Sequence, residues 1–380
     1  MENTVYLDNS STTKPCKEAI EAVNNALVND WGNPSSLHFL GFNAERHLKK
    51  AREVLAGALG CREDEIYFNS CGTEGDNTAI IGAAQARKRR GNRIVTTSVE
   101  HPAVLETFKR LADEGFETVY IKPDEDGHIS EKQIFDAIDE KTILVSIMLV
   151  NNEIGSIFPV SAAARAIKEK NAPALLHTDA VQAFGKLPID VKNSGVDILT
   201  LSGHKIHAVK GIGAMYIKKG VTLKPLLTGG GQEKGFRSGT ESVPLISALS
   251  AATEALPPLE AQLKKQKELW DYAVKKLTEN GLCAVNSPAD ALPYILNVSV
   301  LGFKSETLLH FLEERNIFVS SGSACAKGKG SYVLDEMGLE RARIDSALRI
   351  SFSRFSAKED IDRLTEALTE ATKTLRRAYK

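Results

Sequence analysis

Apolar residues fall at Ala44, Leu48, Ala51, Leu55 and Leu59, at steps of four, three, four and four positions. Those steps place all five on one stripe of an α-helix, and Gly60 supplies a stop signal behind it. Further along, the period shortens. Runs rich in β-branched or apolar residues follow at IYFN (66–69), RIVTT (93–97), TVYI (118–121), ILVSIMLV (143–150), ALLHT (174–178), DILTL (197–201) and AMYI (214–217). Most are separated by helical patterns, such as 73–87 and 161–170. Strands alternating with helices predict an α/β protein with a mainly parallel, seven-stranded sheet between helices. The link from DILTL to AMYI is too short for a helix, so that pair is expected to run antiparallel.

The texture changes near Ala255, Pro257 and Pro258. A long charged helix is predicted over about 259–279, then strands at YILNVSV (294–300) and LRISF (348–352). A last helix carries Ile361, Leu364, Leu368, Ala371 and Leu375 on one side. The pattern reads as a smaller α+β domain, with Pro257 and Pro258 as punctuation.

Composition narrows the class. The chain has 380 residues, 42% hydrophobic and 26% charged, which is globular and long enough for two domains. A formal net charge of -1 gives no general attraction to nucleic acid or to acidic membranes. The opening MENTVYLDNS lacks a basic region followed by an apolar run, so no signal peptide is expected, and 143–150 is too short to span a bilayer. Cysteines at 16, 61, 71, 283 and 325 are odd in number and form no CxxC pair. A disulfide framework or a cysteine-built metal site is therefore not expected, and a reducing cytoplasm fits.

One cysteine stands apart. Cys325 lies in SSGSACAKGKG (320–330), among small residues and beside Lys327 and Lys329. A structural cysteine wants apolar neighbours, whereas a nucleophilic one wants exposure and nearby positive charge. Four polar clusters fall just after strand candidates, the edge where open α/β sheets bind ligands. In SCGTEGDN (70–77), Gly72 permits close backbone approach and Thr73 opens a helix whose N-terminus favours an anion. Glu74 and Asp76 in that turn argue for a single phosphate over a polyphosphate. In SVEHPAV (98–104), His101 precedes a proline; alone it reads as a turn histidine. In HTDAVQ (177–182), Asp179 ends an apolar strand, a costly place for a carboxylate that meets no cation, and Gln182 follows. In LSGHKIHAVKG (201–211), Lys205 follows Ser202 and His204 at a strand end, where a lowered pKa would suit Schiff-base chemistry. Each cluster alone is also satisfied by a helix cap or a surface loop. Together they provide an anion cradle, a carboxylate for a pyridinium, an imidazole and a lysine, which is what pyridoxal 5'-phosphate requires. No GxGxxG follows an early strand, so a nicotinamide cofactor fits worse.

Ordered motifs along nearly the whole chain resemble those of the cysteine desulfurases, in the class V aminotransferase family of fold type I pyridoxal-phosphate enzymes. They are YLDNSSTT (5–12), GNPSS (32–36), TEGDN (73–77), EHPAVL (100–105), VNNEIG (150–155), HTDAVQAFGKLPID (177–190), SGHKI (202–206), GGGQEKGFRSGT (229–240), SSGSAC (320–325) and LRISFSRF (348–355). The resemblance implies a large cofactor domain over 14–257 and a small domain from 1–13 and 258–380 that carries the cysteine loop, about 320–331. It implies that Lys205 holds the cofactor and removes the substrate α-proton, that His101 stacks on the ring, and that Asp179 faces the ring nitrogen. Gln182 and Asn152 would lie on the phenolic-oxygen side. Gly72, Thr73, Ser202 and His204 would cradle the phosphate, with Thr240 reaching it from the second subunit of a homodimer. Arg349, helped by Asn33, would grip the carboxylate of L-cysteine. Cys325 would take the substrate sulfur as a persulfide, leaving L-alanine, and hand it to an acceptor protein such as an iron–sulfur scaffold or a tRNA-thiolation relay. No metal, membrane or direct nucleic-acid contact is implied.

Three departures from the family pattern stand out. Only AKGKG separates Cys325 from SYVL (331–334), a short tether. Cys71 replaces a smaller residue in the phosphate turn and reads as packed behind the cradle. HAVKG (207–211) lacks the proline of the more usual YGPKG, which puts the rigidity of that turn in question. Two other functions fit the same residues: a selenocysteine lyase, and a non-catalytic partner in a sulfur-transfer assembly.

Overall fold

The computed structural model describes residues 4–321 and 330–378, so Cys325 lies outside the described residues. Its strands, in chain order, are β1 (Val5–Tyr6), β2 (Ile66–Asn69), β3 (Arg93–Thr97), β4 (Glu117–Ile121), β5 (Thr142–Ser146), β6 (Leu175–Asp179), β7 (Ile198–Ser202), β8 (Gly213–Ile217), β9 (Ala284–Val285), β10 (Ile295–Ser299), β11 (Ile317–Phe318) and β12 (Ala347–Ser351). The seven predicted runs each supply one strand of a seven-stranded sheet ordered β2-β8-β7-β6-β5-β3-β4. β8 is antiparallel to both neighbours, and the other pairings are parallel. The short link after DILTL thus gives the expected antiparallel pair.

The run 143–150 is only half a strand. Its pairing with β3 ends at Ser146, where the Met148 N–H turns to the carboxylate of Glu100 at 2.9 and 3.1 Å, while the Ile147 and Leu149 N–H groups still donate to the β6 carbonyls of His177 and Asp179. The stripe from Ala44 to Leu59 is buried on helix Phe39–Leu59, and Gly60 ends it in the left-handed region at φ 69°, which a glycine adopts at no steric cost.

Helices cover both faces of the sheet, and buried side chains form one core on each face. A further core joins Val5 and Leu7 to Leu269, Trp270, Leu348, Ile350, Leu364 and Leu368, so the start of the chain packs with its end. There β12, β10 and β9 form an antiparallel sheet, and β1 pairs with β11. Asp8 bridges Ser351 and Ser320 bridges Arg349, so β12 sits beside both the opening segment and the approach to 322. No helix among the described residues is long and apolar enough to cross a membrane.

Candidate active site

Strands β2, β3, β5, β6 and β7 point the same way, so their carboxyl ends share one edge. A cavity of about 510 Å³ opens there. Ten of the thirteen residues singled out from the sequence line it: Gly72, Thr73, His101, Asn152, Asp179, Gln182, Ser202, His204, Lys205 and Arg349. Thr240 is exposed and lines a different recess, beside Arg237 and Glu241. Asn33 is exposed as well, and its side chain caps the Ser35 N–H at 2.9 Å. Cys325 lies outside the described residues.

Lys205 ends a 3₁₀ turn that starts directly after β7. Its Nζ donates to the carbonyl oxygens of Ser10 and Ser11, the latter at 2.8 Å. Burial, then the Arg349 guanidinium, pushes its ammonium down to about 7. A fraction of this lysine is therefore an unprotonated amine near neutrality, which ordinary lysines are not. Asp179 is the last residue of β6. One carboxylate oxygen accepts the Val181 N–H at 2.8 Å, and burial pushes the group up to about 6. Behind it, Asp76 is buried, with its carboxyl pushed up by burial and then by the neighbouring Asp179. His177 Nε2 lies 3.7 Å from Asp76 Oδ1 and Nδ1 lies 2.8 Å from Ser146 Oγ; burial holds the ring neutral, at about 3.

His101 caps helix Pro102–Asp113. Its Nδ1 accepts the Ala103 N–H at 3.1 Å, which leaves Nε2 as the protonated nitrogen of the neutral ring. Burial, then Lys205, lowers it to about 4, so it is neutral at pH 7. His204 is lowered to about 4 by burial and then Lys205, and its Nδ1 lies 3.2 Å from Thr12 Oγ1.

Gly72 opens helix Gly72–Arg87. A Cβ there would sit 2.8 Å from Val181 Cγ2, so the close approach of turn and strand end requires glycine. Of the two acids in that turn, Glu74 is held away by Arg237, whose Nε donates to Oε1 at 2.8 Å. Cys71, expected behind the cradle, is the N-cap residue of this helix and lines the cavity wall instead.

Arg349 comes from β12 and is 3% exposed. Its guanidinium donates to Asn152 O at 3.0 Å, Asp8 Oδ1 at 3.0 Å and Ser11 Oγ at 2.6 Å, while Nε has no partner among the described residues. Sequence reasoning gave no role to Asp8, Ser10, Ser11, Glu153 or Tyr332. Glu153 is buried, pushed up to about 7 by that burial, and accepts from Ser331 Oγ; Tyr332 donates to the Glu100 carbonyl oxygen. The turn lacking a proline is tied down by His207, at φ 68°: its N–H donates to Thr13 Oγ1 and its Nδ1 lies 2.8 Å from Lys14 O.

Buried polar atoms without partners among the described residues show what the cavity suits. Ser202 Oγ, Asn152 Oδ1 and Arg349 Nε are such atoms, each on a residue that lines the cavity. Unpaired buried groups are costly unless a ligand completes them. With an open helix N-terminus at Thr73, a carboxylate at Asp179 and an amine at Lys205, the donor set fits a group that carries a phosphate, a protonatable ring nitrogen and an aldehyde.

The chain matches the aminotransferase class-V family over residues 5–364. It is 42% identical to a cysteine desulfurase of Trichormus azollae, covering 98% of this chain and 94% of that one. It is also 42% identical to the cysteine desulfurase IscS of Methanosarcina thermophila, covering 98% and 93%. Among solved structures, a NifS-like protein superposes with a TM-score of 0.93 at 37% identity, over 98% of this chain and all of that one. A structure described as SspA in complex with cysteine gives 0.82 at 35% identity, over 93% and 100%.

Proposed function

The chain belongs to the aminotransferase class-V family, and from that premise we propose that it acts on L-cysteine as a cysteine desulfurase, giving L-alanine and a persulfide on Cys325. The observation that carries this reading is that Lys205, Asp179 and Arg349 line one cavity at the carboxyl edge of the sheet. The names of its relatives support the same reaction.

Pyridoxal 5'-phosphate is the cofactor the donor set fits. Lys205 would hold it through Nζ, Asp179 would face the ring nitrogen, and His101 the ring. Gln182 and Asn152 would sit on the phenolic-oxygen side, and Gly72, Thr73, Ser202 and His204 around the phosphate. When bound, the cofactor supplies an electron sink for charge developing at the substrate α-carbon. The protein's own groups do the rest. The unpartnered Nε of Arg349 offers a donor to the substrate carboxylate. Lys205, with its lowered pKa, accepts the α-proton near neutral pH. Neutral His101, which carries its proton on Nε2, would offer a hydrogen-bond donor toward the bound group without adding charge. The Cys325 thiolate forms a bond to the substrate sulfur as the carbon–sulfur bond breaks.

The same proposal includes a homodimer in which Thr240 completes the partner's phosphate site and Asn33 assists Arg349. Its support is a run of exposed apolar side chains flanking Asn33, among them Trp31 (66% exposed), Leu37 (91%) and Phe39. The division into 14–257 and 1–13 with 258–380 is supported by the core that unites both chain ends. Cytoplasmic location and transfer to an iron–sulfur scaffold or a tRNA-thiolation relay complete the proposal.

The test is incubation of the cofactor-loaded protein with sulfur-labelled L-cysteine, followed by peptide mapping. Label is expected on the peptide containing Cys325, with alanine formed alongside. Cys325→Ala should keep the cofactor's visible band and lose both label and turnover. Full turnover of cysteine by that variant would remove the mechanism and favour a lyase.

A further inference from the structure

Lys186 is a buried cation that the chemistry above does not use. It follows Gly185 in the turn 180–187, whose backbone bonds (Ala183 and Phe184 to Ala180 O, Lys186 and Leu187 to Ala183 O) set Gln182 and Lys186 on one face. Lys186 is 7% exposed, its Nζ donates to Gln182 Oε1 at 3.0 Å, and it stands 5.7 Å from the ring centre of Tyr294. No carboxylate among the described residues forms an ion pair with it. The other titratable groups that face it are cationic or neutral: Lys205, Arg349, His204 and His207. Burial, then Lys205 and Arg349, pushes its ammonium down to about 7. An apolar side chain of the same length would be the more stable filling for this place. The lysine therefore needs a reason other than stability.

The reason lies in the far side of Gln182. Its Nε2 donates to Ser10 O at 2.9 Å, the carbonyl that also accepts from Lys205 Nζ. Gln182 lines the cavity, and Ser10 O takes one of the two amide N–H groups. An amide has a donor end and an acceptor end of nearly equal shape, so geometry alone does not fix which way it points. A lysine ammonium facing one end does fix it: it has no lone pair and only donates, so Oε1 must face Lys186 and Nε2 must face the cavity. With the amide reversed, Oε1 would face Ser10 O, an unfavourable pairing of two acceptors, and would compete for the Lys205 proton.

We propose that Lys186 is a positioning residue that locks the amide of Gln182 with its N–H groups toward the cavity, so that the cofactor's ring oxygen meets a donor. This rests on the pyridoxal-phosphate reading above. A donor on an anionic ring oxygen favours loss of the proton shared with it, so removing that donor raises the pH at which the visible band changes.

The experiment uses four proteins loaded with pyridoxal 5'-phosphate: wild type, Lys186→Met, Gln182→Ala and the double variant. The pH midpoint of the visible band and the retention of cofactor on dilution are read for each. Lys186→Met is expected to raise the midpoint and weaken retention about ten-fold, the loss of roughly one hydrogen bond to a charged oxygen. In the Gln182→Ala background the same substitution should add little, because its target is gone. Equal shifts in both backgrounds would make Lys186 an independent charge and overturn the proposal, as would no shift in the wild-type background. Should Lys186→Met fail to fold, Gln182→Glu replaces it, since it keeps an acceptor toward Lys186 and removes the cavity-side N–H. That variant is expected to move the midpoint upward too, and an unchanged midpoint counts against the idea. A wild-type chain that takes up no pyridoxal phosphate defeats the cofactor reading itself and this inference with it.

Discussion

Arg349 Nη2 lies 3.0 Å from Asp8 Oδ1, joining β12 to the segment that opens the chain, 341 residues earlier. The same guanidinium reaches Asn152 O at 3.0 Å, so the arginine is fixed from two sides before any substrate arrives. Its planar fork serves both partners and leaves Nε over. Arg349→Lys keeps the charge and loses the fork. We expect KM for cysteine to rise about ten- to a hundred-fold, the loss of one charge-assisted hydrogen bond, with the fold intact by circular dichroism. A KM within two- or three-fold of wild type would mean that the carboxylate is gripped elsewhere.

Lys205 makes a pH-dependent contribution to stability in the cofactor-free protein. Its ordinary value of 10.5 falls to about 7 on folding, because burial and Arg349 disfavour the ammonium. Between those values the unfolded chain binds the extra proton, so stability rises with pH from about 7 to 10.5. Below about 7 the full cost of the buried ammonium is felt. Lys205→Met should therefore be more stable than wild type at pH 6, by on the order of 2 kcal/mol after the lost bonds to Ser10 and Ser11 are counted. The gain should fade as pH approaches 10. Urea unfolding at pH 6, 8 and 10 measures this, and a difference constant across pH would show that packing, and not charge, is responsible.

Asp179→Asn separates shape from charge. The bond from the Val181 N–H survives on the amide oxygen, so the turn after β6 should hold. What disappears is the negative charge proposed to face a protonated ring nitrogen. We expect the cofactor to bind and kcat to drop about a hundred-fold or more, the usual cost of removing an electrostatic partner of the reacting group. Stopped-flow rates on the loaded variant check this. Turnover close to wild type would assign the nitrogen's partner to some other group.

The main sheet was legible because its strands are local: IYFN and RIVTT are short apolar runs between turn signals, and the strands fall on those same residues. In the run 143–150 the early end of the pairing with β3 was not legible, since the residue that captures the Met148 N–H is Glu100, 48 positions away and outside any local window. Lys205, Asp179 and His101 were legible because chemically unusual residues stood just after strands. Ser10 and Ser11 were not, as they act on Lys205 through backbone carbonyls that any residue would present. Likewise the HAVKG turn looked loose without its proline, yet His207 pins it to Thr13 and Lys14, nearly two hundred residues back. Periodicity reports which face is buried, and says nothing of which distant group meets a polar atom there.

Thr240 tests whether two chains share each site. It is exposed and absent from the wall of its own chain's cavity. Its segment is nevertheless tied to that wall, because Arg237 donates at 2.8 Å to Glu74, in the first turn of helix Gly72–Arg87. If Thr240 serves a partner, a chain lacking Lys205 and a chain lacking the Thr240 hydroxyl are complementary. Mixed dimers of Lys205→Ala and Thr240→Val would hold one site with both defects and one with neither. Random mixing makes half the dimers mixed in a two-fold assembly, so about a quarter of all sites would be intact. Activity at limiting cofactor should then climb above the average of the two separate variants after they are unfolded and refolded together. If Thr240 acts within its own chain, every site in the mixture carries one defect and no gain appears. The reading is therefore decided by the presence or absence of that rise, with the two variants refolded separately and then combined as the reference.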